Sequence, residues 1–425
     1  MSRCSDLECK PDRIIKVEQP GRLVSECMVN ELAKKIRETM QRRIKTYQNE
    51  ILDFTKALIS LPTENPLGSE YKQCANAIYK TLSDVGLECS RHGDCITAYF
   101  GTGRRTMYLH GHYDTVPALA KDQFEPYVKN GKLYGRGSSD MKGGLASMIY
   151  AVKALKECGI ELTGRIGLTI VPDEETGGLR GSGYLLTSKL LGLDGMGMLT
   201  PEPTSGIIWN ANRGAISLRI TTVGKFAHVG LQHQGINAFE QMLTVAQALA
   251  KLERKVKRRT TKFKIEPEAA KHSILLLGGR VEGGTNFNAV PAECSFTVDR
   301  RINPEEDLLT EKKVLLSVLD ELRKNGINLK SEILQEAWSA SSSEVSPLAR
   351  ALSQSIEEVQ GKPSRFEMCP GLLETRFYAR RGVPAYAYGP GLLSVSHGPN
   401  EYVHTESIFK CAEIYALTVM RLLTS

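Results

Sequence analysis

Residues 107–117 read MYLHGHYDTVP. The stretch opens on apolar residues and closes on His112, Tyr113 and Asp114, the pattern of a buried strand with polar groups at its end. Side chains two apart on an extended segment point the same way, so His112 and Asp114 can share one target. A carboxylate beside a histidine fixes its tautomer and orientation, which makes the imidazole a good metal ligand. Alone, an HxD pair reads more simply as a core histidine with an acidic partner. The rest of the chain changes that reading by supplying further acidic and histidine sites at strand ends.

Downstream, FEPYVKNGKLYGRGSSDMKGG reads as a turn-rich loop. It places Asp140 just before a helix with an apolar stripe of Leu145, Met148, Ile149, Val152 and Leu155. GRIGLTIV is a second buried strand ending on PDEETGG, and GMGMLTPEPT is a short apolar run ending on Glu202. Upstream, ITAYF is a strand. Before it, apolar residues recur at threes and fours from Met28 to Leu58 and again from Cys74 to Leu82, two helical runs split by LPTENPLG. Strands alternating with helices predict an α/β fold, a three-layer catalytic domain with a central, mostly parallel sheet. In such sheets function gathers at the carboxyl ends of the strands.

After Trp209 the texture changes to strand, long helix, strands, helix, strand, which predicts an inserted α+β domain of roughly 130 residues. The expected division is an extension over 1–24, a catalytic domain over 25–210 and 341–425, and the smaller insert over 211–340. The basic end of the long helix, KLERKVKRRTTKFK, lacks interleaved aromatics and reads as a solvated face rather than a phosphate-binding patch.

Composition bounds the function. The chain has 425 residues, and Lys+Arg 55 against Asp+Glu 48 leaves +7, too mild to argue for nucleic acid. The 10 Cys form no CxxC pair and fit reduced thiols of a cytoplasmic protein. No run is long enough to span a bilayer, and the first residues lack a secretory signal. GxSxG is absent, and no cysteine stands in a nucleophile context.

Five sites carry metal-ligand chemistry: His112, Asp140, the Glu174–Glu175 pair, Glu202 and His397. A mixed N/O set suits zinc, cobalt or manganese. It exceeds what one catalytic zinc needs, so two ions sharing a carboxylate fit better. Adjacent glutamates cannot easily point the same way. One can bind metal while the other serves as general base.

GHYDTVP, GRGSSDMKGG, PDEETGG, PEPT and SHGPNEYV resemble, in order and spacing, the zinc-dependent family of acetylornithine deacetylase. That family also holds succinyl-diaminopimelate desuccinylase, aminoacylases and bacterial glutamate carboxypeptidase. The resemblance runs over about residues 45–425. It implies that His112 and Glu202 hold one metal and Glu175 and His397 the other, with Asp140 bridging. A cis peptide is expected after Asp140. Asp114 would clamp His112, and Glu174 would be the general base and later the acid. The insert resembles a dimerisation lid whose His228 reaches the partner subunit's site to stabilise the oxyanion. Asn288 and Arg301 match binders of the substrate carboxylate, with Arg300 an alternative reader and Arg376 a weaker candidate. His110 and His404 look structural. His233 and Glu401 stay open, and relatives often carry aspartate where Glu374 stands. The implied activity is metal-dependent hydrolysis of the amide bond of N-acyl amino acids, by a homodimer with two divalent ions per chain, zinc first. A carboxypeptidase or dipeptidase with the same site is the alternative. A non-catalytic binding protein keeping the fold is the reading from another class, but here every motif position is filled.

Overall fold

The computed structural model describes residues 26–66, 70–191 and 195–424, with side chains from residue 35 onward. The extension expected over 1–24, with Cys4 and Cys9, lies outside the described residues. The first helical run forms two helices, Glu26–Thr46 and Gln48–Ile59, which meet at Tyr47. The residues that define its apolar period, Met40, Ile44, Tyr47, Ile51 and Leu58, are buried in the main core. The next helix, Tyr71–Asp84, buries Cys74, Ala75, Ile78 and Leu82.

A nine-stranded sheet organises the larger part. At its centre Arg165–Val171, Thr106–His112, Gly195–Thr200 and Ala385–Ala387 run parallel. Antiparallel neighbours flank them: Cys95–Phe100 and Glu88–His92 on one side, Ile208–Asn212 on the other. Thr106–His112 is buried along its whole length, as its apolar run requires of a strand covered on both faces. The helix Gly143–Glu157 buries more than the predicted stripe, including Ala146, Tyr150 and Ala151, because it is packed on several sides. The loop expected before it contains a hairpin, Tyr127–Lys129 with Lys132–Tyr134, turning at Asn130–Gly131. Asn-Gly is a strong two-residue hairpin signal, and it overrides the loop reading. Tyr402–His404 adds a third strand to it.

The chain then crosses to a separate four-stranded antiparallel sheet of Ile274–Gly283, Glu293–Ile302, Gly214–Val223 and Leu329–Ala337. Two helices pack on it, Ala238–Val256 and Leu308–Lys324, capped by the Asn237 and Asp307 carboxamide and carboxylate. This unit has its own core, from Ile216 and Leu218 to Leu319 and Leu329. The chain returns through Ala340–Ser341, which pairs with Asn212 and Ala211 in the first sheet. The basic helix end is partly paired: Lys257 with Glu253, and Arg259 with Glu306 and Glu311. Among the described residues no helix is long and apolar enough to cross a membrane, and the described cysteines are all free.

Candidate metal centre

Parallel register brings three strand ends to one edge. His112 is the last residue of its strand, Glu174 and Glu175 follow the strand ending at Val171, and Glu202 follows the strand ending at Thr200. Asp140 comes from the wide turn Ser138–Lys142 that opens the helix Gly143–Glu157. Glycine at 144 lets that helix close on the neighbouring strand end, since a Cβ there would sit 2.4 Å from the Pro201 carbonyl oxygen. The Asp140–Met141 peptide is cis. His397 sits in a loop at φ +65°, in the left-handed region.

Two three-residue groups result, sharing Asp140: His112, Asp140 and Glu202, and Asp140, Glu175 and His397, with ligand atoms within 4.8 Å of one another in each. His112 Nε2 lies 3.4 Å from Asp140 Oδ1 and 4.0 Å from Glu202 Oε1. His397 Nε2 lies 3.3 Å from Asp140 Oδ2 and 3.3 Å from Glu175 Oε2. The two oxygens of Asp140 therefore face opposite groups.

Asp114 organises the shell behind them. Its carboxylate lies 3.3 Å from His112 Nδ1 and accepts the Glu174 and Glu175 amides at 3.2 and 3.1 Å and Asn65 Nδ2 at 2.8 Å. It thus orients an imidazole and anchors the acidic pair in one step. In the sequence Asn65 is one residue of the helix-breaking LPTENPLG, and nothing local marks it as a partner of Asp114.

The electrostatics favour cations among these side chains. Burial pushes Glu174 well above the usual carboxylate range, with Glu202, Glu175 and Glu374 adding to it. Burial also raises Glu175, and it pushes Glu202 up to about 8 with help from Asp140 and Glu374. Burial opposes a charged His112, but the neighbouring carboxylates of Asp114, Asp140 and Glu202 outweigh it and hold the imidazole well above its ordinary value. Hydrogen bonds to Asp140 and Glu175 raise His397 to about 10. Burial would raise Asp140, yet the two imidazoles hold it well below the usual range. Buried carboxylates crowded like this repel one another unless protons or cations intervene. His112 Nε2 and Glu175 Oε1 are also buried without a hydrogen-bond partner. Such orphans carry a cost that a metal ion removes. The residues fit a divalent cation in each group.

The remaining expected site residues fall elsewhere. His228 and Asn288 are brought side by side: His228 pairs with Ala289, and the Val229 amide donates to the Asn288 carbonyl at 2.9 Å. His228 is exposed, and its Nδ1 accepts the Gly230 amide at 3.1 Å. Arg301 is ion-paired to Asp299 at 2.8 Å, while Arg300 is buried against Glu306 and Glu311 and so is not available as a reader. Among the described residues none of these bonds to the ligand groups. Arg376 departs from the expectation of a substrate binder: it is buried, and its guanidinium donates to the Leu373 and Gly177 carbonyls at 2.5 and 2.6 Å. It steadies the loop after the acidic pair. Glu374 is buried against His110, 2.7 Å from its Nε2, which fits the structural reading of His110. Glu401, left open by the motif, is a buried acceptor of the Asp140 amide at 3.1 Å.

Comparison with known proteins agrees with this geometry. Residues 108–421 match the model of peptidase family M20/M25/M40. A Staphylococcus aureus protein named "Probable succinyl-diaminopimelate desuccinylase" is 25% identical over 399 residues, covering 87% of this chain and 96% of its own. Among solved structures, an M20 family metallo-carboxypeptidase from Sulfolobus solfataricus superposes with TM-score 0.76 at 18% identity, covering 88% of this chain and all of its own. A di-peptidase from Saccharomyces cerevisiae gives 0.75 at 16%, covering 91% and 98%. These two share the fold. With the matched span including every proposed metal ligand, the chain belongs to peptidase family M20/M25/M40 and is a metal-dependent hydrolase.

Proposed function

We propose that this chain hydrolyses the amide bond of N-acyl amino acids, as a desuccinylase-like deacylase with two divalent ions per chain. The observation that carries the reading is Asp140, whose two oxygens face two ligand groups. The S. aureus relative, whose name states a desuccinylase, supports the substrate class. His112 and Glu202 would hold one ion and Glu175 and His397 the other. Zinc suits this imidazole–carboxylate set, with cobalt and manganese compatible. When bound, such a pair of ions polarises a carbonyl and makes a water acidic near neutral pH.

The chain's own residues supply the rest. Glu174, beside a ligand but not in either group, would take the proton from the attacking water and pass it to the leaving amine. Its raised pKa suits a group that must serve as base and then as acid. Asp114 holds the acidic pair still by accepting both of its backbone N–H groups. His228 would donate to the oxyanion, with Asn288 and Arg301 reading the substrate carboxylate.

The insert, taken as 211–340, would act as a lid and dimer interface. Phe226, Val229, Leu231, Phe239 and Leu243 are exposed there, and Phe239 and Leu243 lie one turn apart on the helix Ala238–Val256. Exposed apolar side chains on the insert support a second copy as its partner. A screen for liberated amine decides the substrate, using N-succinyl, N-acetyl and N-formyl amino acids and dipeptides with zinc, cobalt or manganese added. Turnover of the acyl amino acids over dipeptides is expected. Preference for dipeptides would move the assignment to an exopeptidase.

A further inference from the structure

We propose that the buried ion pair Arg136–Glu401 is a positioning clamp that sets the Asp140/Glu175/His397 group and so governs the ion held there. The proposal rests on the two-ion reading above.

Arg136 Nη1 donates to Glu401 Oε2 at 2.7 Å, and both side chains are 1% exposed. The other oxygen of Glu401 accepts two backbone amides, Ser139 at 3.0 Å and Asp140 at 3.1 Å. The other arm of Arg136, Nη2, donates to the His397 carbonyl at 3.2 Å and the Pro117 carbonyl at 3.4 Å. One ion pair therefore grips the backbone of both Asp140 and His397, which lie far apart in sequence. A fork with several donors in a fixed plane is what such a grip needs.

The need is unequal between the two groups. His112 ends a strand paired on both sides, and Glu202 follows a strand paired to Thr106–His112 and Ala385–Ala387. Register with Val171 sets the backbone of His112, and Glu202 stands just past the end of its paired strand. His397 lies in a loop with its side chain 50% exposed. Beside Arg136, Gln123 also grips this loop, donating to the Gly398 and Pro399 carbonyls at 3.0 and 3.1 Å. Gln123 in turn accepts the Arg136 amide through its own carbonyl at 2.8 Å, so the two anchors form one assembly. Loosening it lets His397 drift while His112 and Glu202 stay. Residues that orient ligands from behind typically change metal affinity about 10–100-fold when removed.

The test is zinc titration of metal-free protein against a chromophoric chelator, beside the melting temperature of the metal-free form. Wild type should take up two ions. Glu401→Gln should weaken one ion about 10–100-fold and the other less, because Asp140 belongs to both groups whereas His397 belongs to one. Removing one buried charge leaves its partner unpaired and threatens folding. The double variant Arg136→Gln/Glu401→Gln avoids that and should show the same unequal loss. Arg136→Lys keeps the charge but not the second arm, and should fall between. A fall clearly larger for one ion than for the other, in variants whose metal-free melting matches wild type, supports the clamp. Equal weakening of both ions, or of neither, overturns it while the two-ion reading stands. Wild type binding no zinc would sink the two-ion reading and the clamp together.

Discussion

The strand-end cluster and the His228 segment answer to the same proposed reaction but are built in opposite ways. His112, Asp140, Glu175, Glu202 and His397 converge within one chain, mostly buried, under a shell of hydrogen bonds from Asp114 and Glu401. His228 and Asn288 sit together on a two-residue ladder of the smaller unit, and His228 is exposed. Among the described residues, no hydrogen bond or ion pair joins the second set to the first. The contrast teaches that metal binding is a property of one folded chain. Stabilising the reacting carbonyl, if His228 does it, needs an approach that this single chain does not display.

That division can be broken experimentally. Removing the ions should have the largest effect: a chelator should take hydrolysis to background, zinc should restore it, and elemental analysis of reconstituted protein should give about two ions per chain. Activity that survives in chelator, with no metal bound, would dissolve the first half of the comparison. Next, Glu174→Ala should cost about 10²–10⁴ in turnover with its metal retained, as for a lost general base. Glu175→Ala should lose metal as well, and equal metal loss in both would mean the adjacent pair is divided wrongly.

His228→Ala tests the second half. With metals and fold intact it should lose about 10²–10³ in turnover, the typical worth of one oxyanion donor. Mixed with Glu174→Ala under conditions where chains exchange, it should regain part of the activity. In a mixed dimer one site would have an intact Glu174 and receive an intact His228. Verified exchange without recovery would return His228 to its own chain or to a structural role.

The smallest effect is on stability. Glu202 is raised from 4.5 to about 8 and His397 from 6.5 to about 10. Each holds a proton in the folded metal-free chain that it releases on unfolding. Their stabilisation is therefore full below the unfolded values and is lost as pH rises through the folded ones. Metal-free protein should melt lower as pH climbs from about 6 to about 8.5, by a few degrees on the order expected for this chain length. Since cations replace those protons, the gain in melting temperature on adding zinc should widen over the same span. A zinc gain that is flat with pH would argue against Glu202 and His397 as ligands.

Much of this was legible in the one-dimensional text. The buried strand over 107–112, the helix after Asp140 and the change of texture after Trp209 follow from apolar period and turn residues, which are local properties of the chain. The five metal-binding candidates stood out because acidic and histidine residues recur at the ends of apolar runs, where a parallel sheet gathers them. The hairpin at Asn130–Gly131 is also written there, in its Asn-Gly pair. What only the tertiary structure decided is who meets whom across long separations. Asp140 turns one oxygen to His112 and the other to His397. Asn65 reaches Asp114, and Glu401 takes the amide of Asp140. Arg300, an alternative reader by resemblance, and Arg376, a weaker candidate, spend their donors on buried carboxylates and backbone. Local period sets which segments are buried. The direction in which a buried polar side chain points is set by the partner that offsets its desolvation, and that partner lies far away in sequence.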